Sequence, residues 1–298
     1  MQDRRPKTVL KREFQKKLVS GGKYGRVSSV LDKLEINTIC QSARCPNRGE
    51  CFSRGTATFL IMGPKCTRGC LYCSVEKGIP DDLDREEPEK VARAVKELNL
   101  SYTVITSTTR DDLSDGGLSH FVETVIAVRR AKPDTSIEVL VPDFGGNFDK
   151  IEEIFKAGIS VFNHNIEVVK RLFPEMRPRG SYERSLELLK LASELCKKYG
   201  AYTKSGFMVG LGETFKEIME TLKDLKEVNV DIVTVGQYFP PTRSHVSMKK
   251  LYTKSEYDAI EEFAKEIGIR YIAAGPYIRS SFGAEEANSM LRRSSSNA

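Results

Sequence analysis

The 298-residue chain lacks any apolar run near the ~18 residues that a bilayer-spanning helix requires. Its opening stretch, MQDRRPKTVLKREFQKKLVSGGKYGR, has neither an apolar h-region nor a small-residue cleavage site, which argues against a secretory signal. The same stretch is basic in the manner of an organellar presequence, but it holds Asp3 and Glu13, which such sequences avoid. A cytoplasmic protein without membrane association is therefore expected. Histidine is scarce: His120, His164 and His245 are the only three, and all lie far downstream of the main cysteine cluster. That scarcity removes a local mixed Cys/His zinc set from consideration.

Charge is unevenly spread. The net charge is +6, yet residues 1–26 hold nine Lys/Arg against two Asp/Glu, so the rest of the chain is nearly neutral. Such an arm is either a solvated tail or an electrostatic contact for an acidic partner. It lacks interleaved aromatics and any nucleic-acid-binding motif, so nucleic acid is not an expected partner.

Against these absences stand seven cysteines, six of them within 34 residues. CQSARCPNRGEC supplies Cys40, Cys45 and Cys51; CTRGCLYC supplies Cys66, Cys70 and Cys73. A reducing compartment and a chain this long argue against a disulfide framework. Structural zinc sites close with four ligands, commonly as paired C-x2-4-C units, whereas these spacings are irregular and group as three and three. Two iron–sulfur clusters, each held by three thiolates, fit the grouping better. Cys196, in LASELCKKYG, reads as a small buried hydrophobe on a helix.

The C-x3-C-x2-C spacing, with Tyr72 before its last cysteine, resembles the signature of the radical S-adenosylmethionine (SAM) superfamily. The resemblance implies a 4Fe-4S cluster on Cys66, Cys70 and Cys73 whose open iron is chelated by the amino and carboxylate groups of SAM. An electron from the cluster then cleaves SAM to methionine and a 5′-deoxyadenosyl radical.

Along the chain, β-rich apolar runs at 56–62, 102–107, 137–142, 160–167, 203–210 and 231–239 alternate with amphipathic helical stretches, and a short last run lies at 270–276. Six strand–helix units predict an α/β protein with a parallel sheet. Periodicity does not separate a partial barrel from a doubly wound sheet. The superfamily resemblance implies an open, partial (β/α)6 TIM-like barrel, with the site at the carboxyl ends of the strands. On this reading residues 1–55 form an N-terminal extension, 56–276 the barrel, and 277–298 a C-terminal extension ending in a polar tail.

The first triplet narrows the family. INTICQSARCPNRGECF, CTRGCLYCSVEKGIP, TSTTRDDLSDGG, VLVPDF, NHNIEVV, MVGLGE and VGQYFPPTRSH together resemble lipoyl synthase from about residue 34 to 286. The resemblance implies a second, auxiliary 4Fe-4S cluster on Cys40, Cys45 and Cys51, with a serine of a C-terminal Arg-Ser-Ser-Tyr motif as its fourth ligand. This chain reads RSSF over residues 279–282, so Phe282 replaces the tyrosine while Arg279 remains. Ser281 is favoured as the ligand, with Ser280 the alternative; a second RSS at 293–295 lacks the GPYI context.

The implied reaction inserts sulfur from the auxiliary cluster at carbons 6 and 8 of a protein-bound octanoyl-lysine. One SAM is used for each hydrogen removed. The implied partners are an octanoylated carrier (glycine cleavage H protein or the acyltransferase subunit of a 2-oxoacid dehydrogenase), an electron donor such as ferredoxin or flavodoxin, and a cluster-repair protein. A monomer is expected.

Contacts to SAM are less legible. Tyr72, Thr106, Ser107, Asn163, Asn165 and Glu167 fall at strand ends or beside the cysteines, and each is either a SAM contact or a satisfied structural group. Arg177 and Arg179 are candidates for the SAM carboxylate or for loop salt bridges, and Arg279 for a substrate contact. His164 is read equally as structural or functional. VGLGE lacks the lysine of a phosphate loop, and DDLSDGG lacks the pattern of a calcium loop; both read as turns. Two other readings remain open: a different two-cluster radical SAM enzyme, which leaves the pairing of the first triplet with RSSF unexplained, and a zinc-stabilised nucleic-acid-binding or scaffolding protein, favoured only by the basic arm.

Overall fold

The computed structural model describes residues 22–296, with side chains to Leu291. Residues 1–21 of the basic arm, the end of the polar tail, and the side chains of the second RSS lie outside the described residues.

An N-terminal segment comes first: α1 (Gly22–Lys33), β1 (Asn37–Thr38), α2 (Ile39–Ser42) and α3 (Arg48–Ser53). The barrel begins with β2 (Thr58–Ile61), then a cysteine-bearing loop containing β3 (Lys65–Cys66) and β4 (Glu76–Lys77), then α4 (Glu87–Glu97). It continues as β5 (Tyr102–Ser107), α5 (Leu118–Ala131), β6 (Ser136–Leu140), α6 (Glu152–Lys156) and β7 (Val161–Asn163). Next come α7 (Phe173–Met176), α8 (Tyr182–Tyr199), β8 (Tyr202–Val209), α9 (Phe215–Glu227), β9 (Ile232–Gln237), α10 (Lys254–Glu266) and β10 (Tyr271–Gly275). The chain closes with α11 (Ala284–Ser296).

Local chemistry sets these boundaries. Ser181 caps α8 by accepting from the Arg184 amide, and Gly200, at φ 69°, ends it in the left-handed region. Thr214 with Glu217 and Thr253 with Glu256 form complete capping boxes that start α9 and α10.

The sheet runs β1-β2-β5-β6-β7-β8-β9-β10. Every pairing from β2 to β10 is parallel, and only β1 runs antiparallel to its neighbour. Its two ends, β1 and β10, do not pair, so the barrel is open. The six expected units are present, and the run at 270–276 supplies a seventh parallel strand.

Alternation along the strands separates two environments. Phe59, Ile61, Ile105, Ile137 and Val139 face outward and join Val91, Val95, Phe121 and Val125 of the helices in one core. Val27, Leu31 and Phe52 of the N-terminal segment belong to that same core, so the segment packs as part of the barrel wall.

The inward face holds a feature that a polar C-terminal tail did not suggest. Helix α11 enters the barrel at its amino end. Ala284 packs with Tyr102 and Val104, while Ala287 and Leu291 pack with Val161, Ile232, Tyr202 and Tyr271. Most of these partners are first residues of their strands, so α11 plugs the end opposite the site. The backbone carrying the second RSS therefore continues away from the carboxyl ends. Truncating Leu291, 4% exposed, leaves a cavity in this plug. Leu291→Ala is expected to cost about 2–5 kcal/mol, read as a clear drop in thermal midpoint; an unchanged midpoint contradicts the plug.

Candidate functional site

At the carboxyl ends of the strands the loops enclose a cavity of about 790 Å³, a size suited to a small-molecule site. Its wall carries Cys40, Cys45 and Cys51, Cys66, Cys70 and Cys73, and Arg279, Ser280, Ser281 and Phe282. Residues from both ends of the sequence thus meet around one space.

Hydrogen bonds between distant loops hold this convergence. In the first cysteine loop, Cys45 N donates to Cys40 O at 3.1 Å and Cys51 N to Asn47 O at 2.9 Å. Buried Asn47 donates its side-chain Nδ2 to Tyr277 O at 2.7 Å, tying this loop to the segment before RSSF. That segment lies tight on the barrel: a Cβ added at Gly236 would come within 2.2 Å of Ile278 O. Glycine at 236 is what lets the RSSF segment approach β9.

The second cysteine loop leaves β2 and folds back on itself through parallel pairing of β3 with β4. Four neighbours fix it. Thr67 N donates to Thr109 O at 3.1 Å, and Leu71 N to Met176 O at 3.0 Å. Ser74 Oγ donates to Ser42 O at 2.9 Å, joining the two cysteine loops, and His245 Nε2 lies 3.2 Å from Cys73 O. Arg68, inside the motif, is buried and gripped by Asp111 at 2.8 Å and by Asp143 at 2.5 Å. The Asp143 carboxyl lies below the usual range: its burial opposes ionisation, but the hydrogen bond and charge of Arg68 outweigh it. This bidentate anchor fixes the loop's orientation toward the cavity.

The residues present fit iron–sulfur clusters and a polar small molecule. All six cysteines are free thiols. Among the described residues no three His, Cys, Asp or Glu side chains close around a single metal ion, as a zinc site requires. Burial, together with the neighbouring Cys70 and Cys66, pushes the Cys73 thiol up to about 12, so an anionic triplet here needs a positive group to hold it. Three polar atoms of cavity-lining residues, Arg68 Nη1, Ser107 Oγ and Arg177 Nε, are buried without a hydrogen-bond partner. Leaving such groups unmet costs about 1–3 kcal/mol each, and a bound polar ligand removes that cost.

Comparison with known proteins decides the family. The Radical SAM superfamily matches residues 60–225. A lipoyl synthase of Caldanaerobacter subterraneus subsp. tengcongensis is 46% identical over 285 residues, covering 96% of this chain and 99% of that protein. A lipoyl synthase of Rubrobacter xylanophilus is 47% identical over 273 residues, covering 92% and 84%. The chain belongs to the lipoyl synthase family. Among solved structures, Streptococcus suis SuiB bound to S-adenosylmethionine aligns with a TM-score of 0.55 at 14% identity, covering 77% of this chain and 54% of that one. That likeness concerns the fold alone.

Within this family frame the expected SAM-side residues divide. Tyr72, Thr106, Ser107, Asn165, Glu167 and Arg177 line the cavity. Thr106 spends its hydroxyl on Leu140 O at 2.9 Å, whereas Ser107 leaves its oxygen open. Arg177 donates to Asn165 O at 3.1 Å and lies over the Phe173 ring. Glu167 adopts φ 71°, a left-handed conformation rare for such a residue, and burial raises its carboxyl while Arg177 opposes the rise. Asn163 is not on the cavity wall: fully buried, it bonds Glu138 and Ser280. Arg179 also lies off this cavity and donates to Thr67 O at 3.0 Å. Arg279 does line it, with its guanidinium bonded to Ile278 O and set over Phe239.

The remaining motifs resolve as structure. Asp115 accepts from Gly117 N and Ser119 N, so DDLSDGG is the turn that starts α5. In VGLGE the Glu213 carboxylate takes the Gly210 and Leu211 amides. Cys196 is buried on α8. What sequence reasoning missed are Asn47, Glu138 and Lys204. Glu138 and Lys204 carried a signal: each is a charge in the middle of an otherwise buried strand run.

His164 lies on the cavity wall and bridges Val141 O (2.9 Å) and Ser185 Oγ (3.0 Å). Burial lowers its pKa from 6.5 to about 4. Between those values the unfolded chain binds a proton that the folded chain does not, so stability falls as pH drops from 6.5 toward 4. His164→Gln is expected to flatten that acid limb, as measured by urea midpoints across the window; an identical slope in the variant contradicts the assignment.

Proposed function

We infer that this chain converts octanoyl-lysine on a lipoyl carrier domain into lipoyl-lysine by radical SAM chemistry, using two 4Fe-4S clusters. The observation carrying this reading is that two cysteine triplets and the RSS serines, from opposite ends of the sequence, line a single cavity. When bound, the clusters and SAM supply a carbon-centred radical able to take an unactivated hydrogen, and the sulfur that replaces it.

The protein's residues hold and orient these groups. Cys66, Cys70 and Cys73 hold the SAM-site cluster, and Arg68 keeps their loop in register through Asp111 and Asp143. Ser107 Oγ and Arg177 Nε offer unmet hydrogen bonds to SAM beside them, flanked by Tyr72, Asn165 and Glu167. Cys40, Cys45 and Cys51 hold the auxiliary cluster. Ser281 is its fourth ligand, because its hydroxyl has no hydrogen-bond partner among the described residues while that of Ser280 is taken on both sides. An oxygen suits iron–sulfur clusters less well than a thiolate, so Ser281 would hold its iron more weakly than the three cysteines would hold theirs. Arg279, lining the same wall, faces the substrate.

The open cavity accepts the alkyl chain between the two triplets. The carrier is the glycine cleavage H protein or the acyltransferase subunit of a 2-oxoacid dehydrogenase, and acidic surface around its lysine gives the basic arm a purpose. Ferredoxin or flavodoxin supplies electrons, and a separate protein rebuilds the auxiliary cluster. The enzyme works as a cytoplasmic monomer whose parts are the extensions 1–55 and 277–298 around the barrel 56–276. No helix among the described residues is long and apolar enough to cross a membrane.

An anaerobic single-turnover assay with an octanoyl-lysine peptide, followed by mass spectrometry, tests the reading. Sulfur in the peptide with two 5′-deoxyadenosines per lipoyl group is expected; deoxyadenosine without sulfur transfer assigns another substrate. Ser281→Cys is expected to keep its iron but to lower sulfur insertion by about 10- to 100-fold. Normal turnover in that variant removes the argument for the oxygen ligand.

A further inference from the structure

Between the plug and the cavity, the barrel interior holds an ion pair: Glu138 and Lys204 are 0% and 1% exposed. Lys204 Nζ lies 3.1 Å from both Glu138 oxygens. Tyr102 Oη donates to Glu138 Oε2 at 2.6 Å, and Asn163 Nδ2 donates to Oε1 at 2.7 Å. The second hydrogen of the same Asn163 amide goes to Ser280 Oγ at 2.7 Å, and Ser280 Oγ donates onward to Asn165 Oδ1 at 3.0 Å. The direction of the Asn163 bonds follows from the acceptor, and Asn163 Oδ1 is left buried without a partner. A carboxylate accepts only, so the Asn163 amide must point its nitrogen inward, which leaves its other N–H for Ser280.

We propose that Glu138, Lys204 and Asn163 are positioning residues that clamp Ser280 to the end of β7 and thereby present Ser281 to the auxiliary cysteines. A buried ion pair is a weak source of stability, and apolar replacement of such pairs is often neutral or stabilising. Its orientational output is specific, because the fixed carboxylate dictates the polarity of the Asn163–Ser280–Asn165 chain. The clamp reaches the other half of the site as well, since Asn165 lines the cavity and its carbonyl accepts from Arg177. Gly206 makes room for this junction: a Cβ there would come within 2.4 Å of Thr234 Oγ1 and 3.2 Å of Asn165 Oδ1. Ser280 is thus the fastener and Ser281 the ligand, which explains why the motif carries two serines. The proposal rests on the reading of Ser281 as the oxygen ligand.

Iron-57 Mössbauer spectra of the reconstituted full chain test it, because an oxygen-ligated iron is distinct from thiolate-ligated iron whatever the activity. Asn163→Leu and Ser280→Ala are expected to lose the oxygen-ligated site, with sulfur insertion lowered about 10- to 100-fold, while the SAM-site cluster signal persists; the thermal midpoint is expected to hold in Ser280→Ala and to drop in Asn163→Leu, which leaves Glu138 Oε1 one donor short. Ser280→Thr, which keeps the hydroxyl, is expected to restore the site. The double variant Glu138→Leu with Lys204→Met replaces the pair by apolar side chains; it is expected to fold as stably as the parent yet lack the oxygen signature. Retention of that signature in both Asn163→Leu and the double variant overturns the clamp. A separate result overturns the underlying reading instead: Ser281→Ala keeping the signature while Ser280→Ala alone removes it makes Ser280 the ligand.

Discussion

Two opposite charges buried inside a barrel impose a condition on everything around them. Each lone pair of Glu138 must be met, because an unmet ion at zero exposure is far costlier than the pair is favourable. Lys204, Tyr102 and Asn163 meet it, and they do so from three different strands. The interior is thereby layered along the barrel axis. Apolar contacts of α11 close the amino end, the polar layer sits above them, and the cavity opens at the carboxyl end. The RSSF segment and α11 are consecutive in sequence, so one short stretch of chain connects the cavity wall to the plug.

The site depends on convergence more than on any one loop. A parallel sheet delivers all its carboxyl ends to one side, and that alone brings the CTRGCLYC loop, Ser107 and the β7 end together. An open barrel leaves an unpaired edge at each end of the sheet, and the two extensions work there. The N-terminal segment adds β1 to one edge and contributes its hydrophobic residues to the wall core. The C-terminal segment leaves β10, lies across Gly236 and then fills the interior. The Asn47–Tyr277 hydrogen bond joins the two extensions directly. The part of the cavity wall that carries Cys40, Cys45, Cys51 and RSSF is therefore built by the chain's two ends, while the part that carries Cys66, Cys70 and Cys73 belongs to the barrel proper.

How much of this was legible in the sequence follows from the range of the forces involved. The cysteine triplets stood out by spacing, and the structure places all six cysteines on the wall of one cavity. Strand–helix alternation was visible because each strand's outward face is apolar and each helix is amphipathic. The seventh strand was visible only as a short run, and its place beside β9 is set by pairing across the sheet. Asn163 illustrates the limit. Its position at a strand end suggested a cavity-facing group, but Glu138, 25 residues away, captures its amide. Likewise α11 reads as polar because its described inward contacts are few and small, Ala284, Ala287 and Leu291, so its plugging role emerges only against the barrel's inner face. The sequence favoured Ser281 over Ser280 without deciding between them; the structure adds that the asparagines have already taken the Ser280 hydroxyl.

The central claim is that both clusters share one cavity, each on its own cysteine triplet, with a serine oxygen completing one of them. Iron-edge anomalous diffraction from crystals of the anaerobically reconstituted protein addresses it most directly. The account predicts two iron sites on facing walls of the cavity, one bonded to Cys66, Cys70 and Cys73, the other to Cys40, Cys45, Cys51 and Ser281 Oγ. A single iron site, or a second one that lies outside the cavity or away from both serines, contradicts it.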